Sequence, residues 1–329
     1  VEALPVPTPL HLAMLRAAGR PLPESLAQSA DPIILAMVAA DDDTDPGLRL
    51  AAAERAALAG VLPAATLAEV HAAQSAEPGA LDLADLAAPG AQAALYQATA
   101  RAATPVDRAR LLQRALVPGG ADYWLRLQLY LPFLGDVAPA ADLAWFGADA
   151  ARSLYAGGRF EAAAAWFALA QDPTTQDPVA IEAVPALQAL AYFAGAGGPV
   201  PPIGALLEAR QVGVVSGSDP RTARLLAIVD AFDSSLDVMA AGTGATVATA
   251  SSLVDIPQGN ANLWIDLGDA AAQGRVGETV LLTLIGLEAQ RLDSVEPQWL
   301  ERALVSLRRV GLEDTARRLA VETAVANGL

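Results

Sequence analysis

The chain of 329 residues contains no cysteine, no lysine and only two histidines, His11 and His71. Without a thiol it can form neither a disulfide nor a thiolate metal site, and it has no cysteine nucleophile. Without lysine it can form neither a Schiff base with a substrate nor a P-loop of the usual kind. Several large classes of enzyme are excluded by these absences. We expect no cofactor, no metal site and no catalytic residue set.

Positive charge is also scarce. The 21 basic residues, all arginine, stand against 37 acidic ones, which gives a net charge of −16. Nucleic acids and anionic membrane surfaces require a concentrated basic face, which argues against both as main partners. Apolar residues make up 53% of the chain and charged residues 18%, enough for a folded core. The partner we expect is another protein, with no nucleic acid.

Long hydrophobic runs are missing as well. The longest uncharged stretch, residues 183–207, is interrupted by glycines and prolines from Gly195 to Pro202. A membrane span needs about 20 mostly apolar residues, so we expect no membrane insertion. The first residue is Val1, which fits a processed exported protein and equally a trimmed chain. We expect a periplasmic or otherwise extracytoplasmic location, with the cytoplasm as the alternative.

What the sequence does have is helix signals. Apolar residues recur every three or four positions, and proline or glycine follows at intervals of about 12–18 residues. Capping residues followed by proline predict three helix starts: Asp31-Pro32, Asp45-Pro46 and Thr104-Pro105. Pro297 predicts another start, with the apolar stripe Leu300, Leu304, Leu307 and Val310. Residues 212–215 are the one β-friendly run, and no matching strand is available, so we expect an all-α fold.

Glycine marks a repeated turn between helices. In four places a glycine is followed five positions later by a small residue: Gly60 to Ala65, Gly158 to Ala163, Gly274 to Thr279 and Gly311 to Ala316. A glycine in the left-handed conformation ends the first helix, and the small residue lets the second helix approach closely. The pattern predicts four helical hairpins.

The hairpin around Gly158 resembles a tetratricopeptide repeat (TPR). The matching residues are Ala151, Leu154 and Tyr155 on the first helix, Gly158 at the turn, and Phe160, Ala163, Phe167 and Ala170 on the second. Trp145 departs from the family pattern, because it lies two positions upstream of the family's tryptophan. The resemblance covers about one repeat and implies a right-handed superhelical solenoid that binds another protein.

The strongest cluster of helix breakers, Gly195 to Pro202, predicts a domain boundary near residue 200. Residues 1–200 would form an N-terminal helical array containing the TPR-like hairpin. Residues 201–329 would form a smaller C-terminal helical unit.

One acidic run is similar to a calcium loop. Asp41, Asp43 and Asp45 alternate as oxygen ligands could, but Gly47 arrives one position late and Ala52 stands where the loop needs glutamate. We therefore interpret the run as a solvated loop in which Asp45 caps the following helix.

Two further motifs bear on enzyme activity. Residues 23–26 include Glu24-Ser25, which resembles the start of the lytic transglycosylase motif, but the accompanying Gly-Leu-Met-Gln segment is absent. Glu24 is then an ordinary first-turn glutamate. His11 and His71 each lie four residues from a leucine, Leu15 and Leu67, which predicts packed or boundary histidines rather than catalytic bases.

Ten of the sixteen aromatic residues fall within residues 123–167. The simpler interpretation is a well-packed core; the sharper one is a recognition surface, since Trp, Tyr and Arg dominate binding hot spots. The candidate protein-contact residues are Tyr123, Trp124, Arg126, Trp145, Arg152 and Arg159.

Two functions of different classes remain open. The first is a non-enzymatic protein–protein interaction scaffold, which we place in the bacterial cell envelope. The alternative is a carboxylate-using hydrolytic enzyme, or the helical accessory region of a lytic transglycosylase-like enzyme. Two facing carboxylates in a cleft, one with a raised pKa, would favour the enzyme.

Overall fold

The computed structural model describes residues 8–74, 90–118, 122–172, 178–197, 220–232, 261–288 and 292–329. These residues form fifteen α-helices and two short 3-10 helices, and no strand occurs among them. The all-α prediction is confirmed. The β-friendly run at 212–215 and the predicted boundary near residue 200 lie outside the described residues.

The chain divides into two compact units, residues 1–149 and 150–329. The first unit contains α1 (Pro9–Ala17), a 3-10 helix (Glu24–Gln28), α2 (Pro32–Ala39), α3 (Pro46–Leu58), α4 (Ala64–Ala73), α5 (Ala91–Arg101), α6 (Pro105–Ala115), α7 (Tyr123–Gly135) and a 3-10 helix (Ala141–Phe146). The helix α8 (Gly147–Ala156) crosses the division. The second unit continues with α9 (Phe160–Ala170), α10 (Pro178–Phe193), α11 (Pro220–Phe232), α12 (Ala261–Ala272), α13 (Val276–Glu288), α14 (Pro297–Arg309) and α15 (Glu313–Ala326).

The predicted helix starts are confirmed. The Asp31 carboxylate accepts the backbone N–H of Ile33 at 2.9 Å, and the Thr104 hydroxyl accepts that of Asp107 at 3.1 Å. Asp45 accepts two backbone N–H groups at the start of α3. In each case proline occupies the first turn, where its missing N–H leaves no bond unmade.

All four turn glycines adopt the left-handed conformation, with φ between 68° and 84°. At Gly158 the two Schellman hydrogen bonds form, since its own N–H reaches the Tyr155 carbonyl and the next N–H reaches that of Leu154. The small residue is buried in three of the four hairpins: Ala163, Thr279 and Ala316.

The prediction is wrong for Ala65, which is exposed. In the other three hairpins the second helix begins two residues after the glycine. After Gly60 the chain runs on to Pro63 before α4 begins at Ala64, so Ala65 falls in the first turn and faces outward. Leu67 and Val70 make the packing contacts instead.

In the first unit, helices adjacent in sequence pack against one another, from α1 against α2 through α6 against α7. Their inward faces contribute to a core that includes Leu12, Leu35, Val38, Ala53, Leu67 and Ala93. The buried amide of Gln97 donates to the carbonyls of His71 and Gln74, which holds the C-terminal end of α4 against α5.

In the second unit, α14 occupies the centre and packs against α11, α12, α13 and α15. Leu300, Leu304 and Leu307 of its predicted stripe are buried, whereas Val310 is only half-buried because it stands at the helix C-cap. The buried Arg224 donates to the Val295 carbonyl at 2.7 Å and to the Asn327 side chain at 2.9 Å. It thereby links α11 to the segment just before α14 and to the C-cap residue of α15.

Candidate interaction surface

Half of the ten aromatic residues at 123–167 are buried, and the other half are half-buried. Tyr130, Phe146, Tyr155 and Trp166 are at most 2% exposed. Tyr123, one of the candidate contact residues, is 4% exposed and packs against the ring of Trp124 at 5.3 Å between centroids. Ring area concentrates here because it fills the space between helices.

Arg126 is engaged within its own unit. Its guanidinium donates to the Ala115 carbonyl at 2.7 Å and forms an ion pair with Asp122 at 2.9 Å. A longer bond reaches the Val117 carbonyl. These carbonyls stand at the C-terminal end of α6, so Arg126 stabilises that helix end and the turn into α7.

The other candidate contact residues are more accessible. Trp124, Trp145 and Arg152 are half-buried, and Arg159 is exposed. The two tryptophans belong to the first unit and the two arginines to the second. Their role in partner contact stays a prediction.

The described residues expose a different apolar surface, on α13. This helix carries more exposed large apolar side chains than any other described helix, and the exposed fractions are 57% for Leu281, 58% for Leu284 and 42% for Ile285. The spacing of three and four positions places these side chains in one stripe. On the preceding helix, Ile265 is 53% exposed. We call Ile265, Leu281, Leu284 and Ile285 the hairpin face.

The inner side of α13 is formed by small and polar residues instead. Thr279 and Thr283 are at most 4% exposed, and Gly286 is also buried. The Thr279 hydroxyl donates to the Arg275 carbonyl at 2.9 Å and the Thr283 hydroxyl to the Thr279 carbonyl at 2.8 Å. Since both hydroxyls are satisfied within the helix, their burial leaves no donor unpaired.

Trp299 of α14 explains why α13 is turned this way. Its indole lies directly against Gly286, so a Cβ at position 286 would overlap the ring. A larger inward residue cannot fit at this crossing. The rotation of α13 about its axis is therefore fixed, and Leu281 and Leu284 point away from α14.

The helix α12 also approaches α14 closely at a glycine, Gly268. The Arg302 guanidinium lies against Gly268 and over the Trp264 ring, 5.4 Å from its centroid. Burial lowers the pKa of Arg302, and the nearby Asp269 carboxylate opposes that effect. Both helices of the hairpin face therefore lie close against α14, and the Trp299 ring restrains the rotation of α13.

The charge around the hairpin face is uneven. Residues 279–287 contain no charged side chain. On α12 the exposed positions within one turn of Ile265 are the neutral Asn262 and the acidic Asp266 and Asp269. At the turn, Arg275 pairs with Glu278 at 2.5 Å. The hairpin face is therefore an apolar stripe with an acidic flank.

Sequence reasoning missed this surface. The run 280–287 is apolar at six of its eight positions, so its periodicity does not choose an outward face. The available signal was the spacing of Thr279, Thr283 and Gly286, which puts three small residues on one side of a helix. Such a side permits close helix approach and leaves the leucines outside.

Glu301 and Asp230 meet part of the condition stated above for an enzyme, because they are neighbouring carboxylates and one of them has a raised pKa. Burial raises the pKa of Glu301 on α14, and the neighbouring Asp230 carboxylate raises it further, while Arg302 lowers it. Burial also raises the pKa of Glu322, against the opposing charge of Arg318. Glu301 could act as a proton donor if a substrate reached it.

The acidic run at residues 41–45 directs its carboxylates to different partners. Asp41 accepts a hydrogen bond from the Thr44 hydroxyl at 2.7 Å, and Asp42 pairs with Arg49 at 2.8 Å. Asp45 caps α3, as predicted. Within the described part of the chain, no three carboxylate or imidazole side chains come together as a candidate metal site.

The two histidines and Glu24 occupy structural positions. His71 is 2% exposed, with its Nε2 3.4 Å from a Glu54 oxygen and its ring edge-on to Tyr96, which confirms a packed histidine. His11 is half-buried and completes a capping box with Thr8 at the start of α1. Glu24 lies in the first turn of a 3-10 helix, as predicted.

Comparison with known proteins adds no family. No family model matches the chain, and neither a curated protein nor a solved structure matches it. Across the residues the structure describes, no helix is both long enough and apolar enough to cross a bilayer.

Proposed function

We propose that this chain is a non-enzymatic protein-interaction module and that the hairpin face is its binding surface. The observation that carries the proposal is the stripe of Leu281, Leu284 and Ile285, exposed on a helix whose small residues point inward. A contiguous exposed apolar patch on a folded domain is typical of a binding site, because leaving it in water is unfavourable.

The rigidity of the hairpin supports the proposal. Gly286 beside the Trp299 ring restrains α13 before any partner arrives. A surface that is already ordered loses little conformational entropy on binding, which favours affinity.

For the fold beyond the all-α class, we propose a TPR-like solenoid. Its support is the recurrence of a left-handed glycine followed by a buried small residue at Gly158, Gly274 and Gly311. Arrays of such hairpins expose extended surfaces, since each repeat buries only the faces that meet its neighbours.

The test is partner capture from a lysate of the source organism, using the full chain and a double variant, Leu281→Gln with Leu284→Gln. We expect the wild-type chain to retain at least one protein that the double variant loses, with circular dichroism spectra unchanged. The matched control is Leu58→Gln on α3, which replaces a leucine that is 51% exposed. Capture that is identical for all three chains would contradict the proposal.

A second candidate function, the carboxylate-using hydrolase, is favoured by the raised pKa of Glu301 beside Asp230. It is tested by assaying the chain for hydrolysis of peptidoglycan and other polysaccharides across pH. Turnover that Glu301→Gln abolishes and Glu24→Gln leaves intact would establish this function in place of the interaction module.

A further inference from the structure

Resting on the proposed function, we infer that the hairpin face binds an amphipathic helical segment of another protein, with leucine-type residues on one side and arginine or lysine along one edge. The dimensions of the face, its apolar stripe and its acidic flank lead to this partner.

The geometry of the hairpin sets the kind of partner. Ile265 stands nine residues before Gly274, whereas Leu281 and Leu284 stand seven and ten residues after it. Since α12 and α13 pack as a hairpin about this turn, Ile265 lies level with the two leucines. Two neighbouring helices with apolar side chains at one level form a shallow surface along their axes. A single helix with residues at positions i, i+3, i+4 and i+7 matches that arrangement.

The extent of the stripe argues for one helix rather than a whole protein face. From Leu281 to Ile285 the backbone rises only about 6 Å at 1.5 Å per residue, and Ile265 adds one side chain beside it. A standard protein–protein interface covers about 800 Å² per partner, which is more than four half-exposed side chains offer. One helix of a partner covers the face fully.

Charge decides between the possible occupants. Asp266 and Asp269 are exposed on α12 within about one turn of Ile265, and the α13 stripe carries no charge. Arg302 lies near Asp269 and offsets part of its charge, so the test is placed on Asp266. A second copy of the chain would bring another −16 and the same acidic flank against this one. Anionic lipid and nucleic acid are repelled for the same reason. A basic edge on the partner is attracted and fixes its direction on the face.

The experiment uses three synthetic helical peptides of equal length with an identical leucine stripe. Their edge residues are arginine in the first, glutamine in the second and glutamate in the third. Binding of each to the full chain is measured by fluorescence anisotropy at low and high salt. We expect the arginine peptide to bind most tightly, the glutamate peptide most weakly, and the difference to shrink as salt screens the charges.

Variants assign the binding to the hairpin face. The double variant Leu281→Gln with Leu284→Gln should lower the affinity for the arginine peptide at least about tenfold, as removal of a central apolar anchor does. Asp266→Asn should lower the affinity for the arginine peptide by a smaller factor and should reduce the salt dependence of binding. The matched control, Asp43→Asn, removes an exposed aspartate in the other unit and should leave binding unchanged.

Several outcomes would overturn the inference. Equal binding of all three peptides, or no effect of Asp266→Asn, would show that the flank does not select the partner, while the proposed function stands. If the chain dimerises and the leucine double variant makes it monomeric, the occupant is a second copy instead. If a monomeric chain binds no peptide, the inference fails even if protein capture depends on the face. If capture also proves independent of Leu281 and Leu284, the proposed function fails with it.

Discussion

Helices α13 and α14 are consecutive in the chain and pack against each other, yet they orient their leucines in opposite ways. On α14, Leu300, Leu304 and Leu307 are buried, and the exposed residues are Gln298, Arg309 and the single apolar Val305. On α13, Leu281 and Leu284 are exposed, and Thr279 and Thr283 are buried. The difference shows that the inward face of a helix is decided by what fits at the helix crossing. Hydrophobicity alone does not decide it.

The largest predicted effect is the difference in unfolding free energy between truncating a leucine on α14 and truncating one on α13. Leu304→Ala on α14 removes a side chain that is 0% exposed and should cost about 2–5 kcal/mol of unfolding free energy. Leu284→Ala on α13 should change it by no more than about 0.5 kcal/mol, because that side chain is largely in water. Urea denaturation of both variants measures the difference. Comparable losses would mean that Leu284 is packed and that the contrast between the helices does not exist.

The next effect concerns the crossing that orients α13. Gly286→Ala places a methyl group against the Trp299 indole and should destabilise the protein by about 1–3 kcal/mol. The matched control is Gly277→Ala on the same helix, where a Cβ meets no atom within 4 Å. It should be neutral or stabilise by up to about 1 kcal/mol, since alanine favours the helix. Thermal unfolding of the two variants tests whether Trp299 packs against Gly286. A Gly286→Ala variant as stable as wild type would contradict that packing.

A smaller effect asks whether size or polarity places Thr283 inside. Its hydroxyl donates to the Thr279 carbonyl of its own helix, so Thr283→Val keeps the shape of the side chain and removes a hydrogen bond that lies within the helix. We expect the unfolding free energy to stay within about 1 kcal/mol of wild type. Thr283→Leu, which is larger, should destabilise more. A severe loss in the valine variant alone would show that the hydroxyl itself stabilises the packing.

The smallest effect is a pH dependence on α14. Because the pKa of Glu301 is raised in the folded state, that state holds the proton more tightly than the unfolded chain does. The resulting stabilisation is fully present below the ordinary pKa of glutamate and is lost as the pH rises through the folded pKa. Glu301→Gln should therefore gain stability relative to wild type as the pH rises from acidic to neutral. Denaturation midpoints of both proteins at several pH values give this stability difference. A difference that does not change with pH would count against a raised pKa of Glu301.

Features encoded within one turn could be predicted from the sequence. Asp31, Asp45 and Thr104 cap their helices, and Gly158 and Gly274 adopt the left-handed conformation, because each depends only on nearby backbone groups. The all-α class followed from the same local signals.

Features set by distant residues could not be predicted. The outward face of α13 depends on Trp299, which lies 13 residues beyond Gly286 in the chain. The local sequence around Arg126 does not reveal that its guanidinium closes the end of α6. The aromatic density at residues 123–167 does not distinguish a buried Tyr123 from a half-buried Trp124.

The most direct test of the exposed leucine stripe is thiol labelling of single-cysteine variants, which the cysteine-free chain makes unambiguous. Leu284→Cys places the thiol on the hairpin face, and Ala303→Cys places it at a position of α14 that is 0% exposed. We expect the thiol at 284 to react with a maleimide in the folded protein about as fast as a free thiol, and the thiol at 303 to react only as the protein unfolds. Equal protection of the two thiols would contradict the account, because the α13 stripe would then be buried.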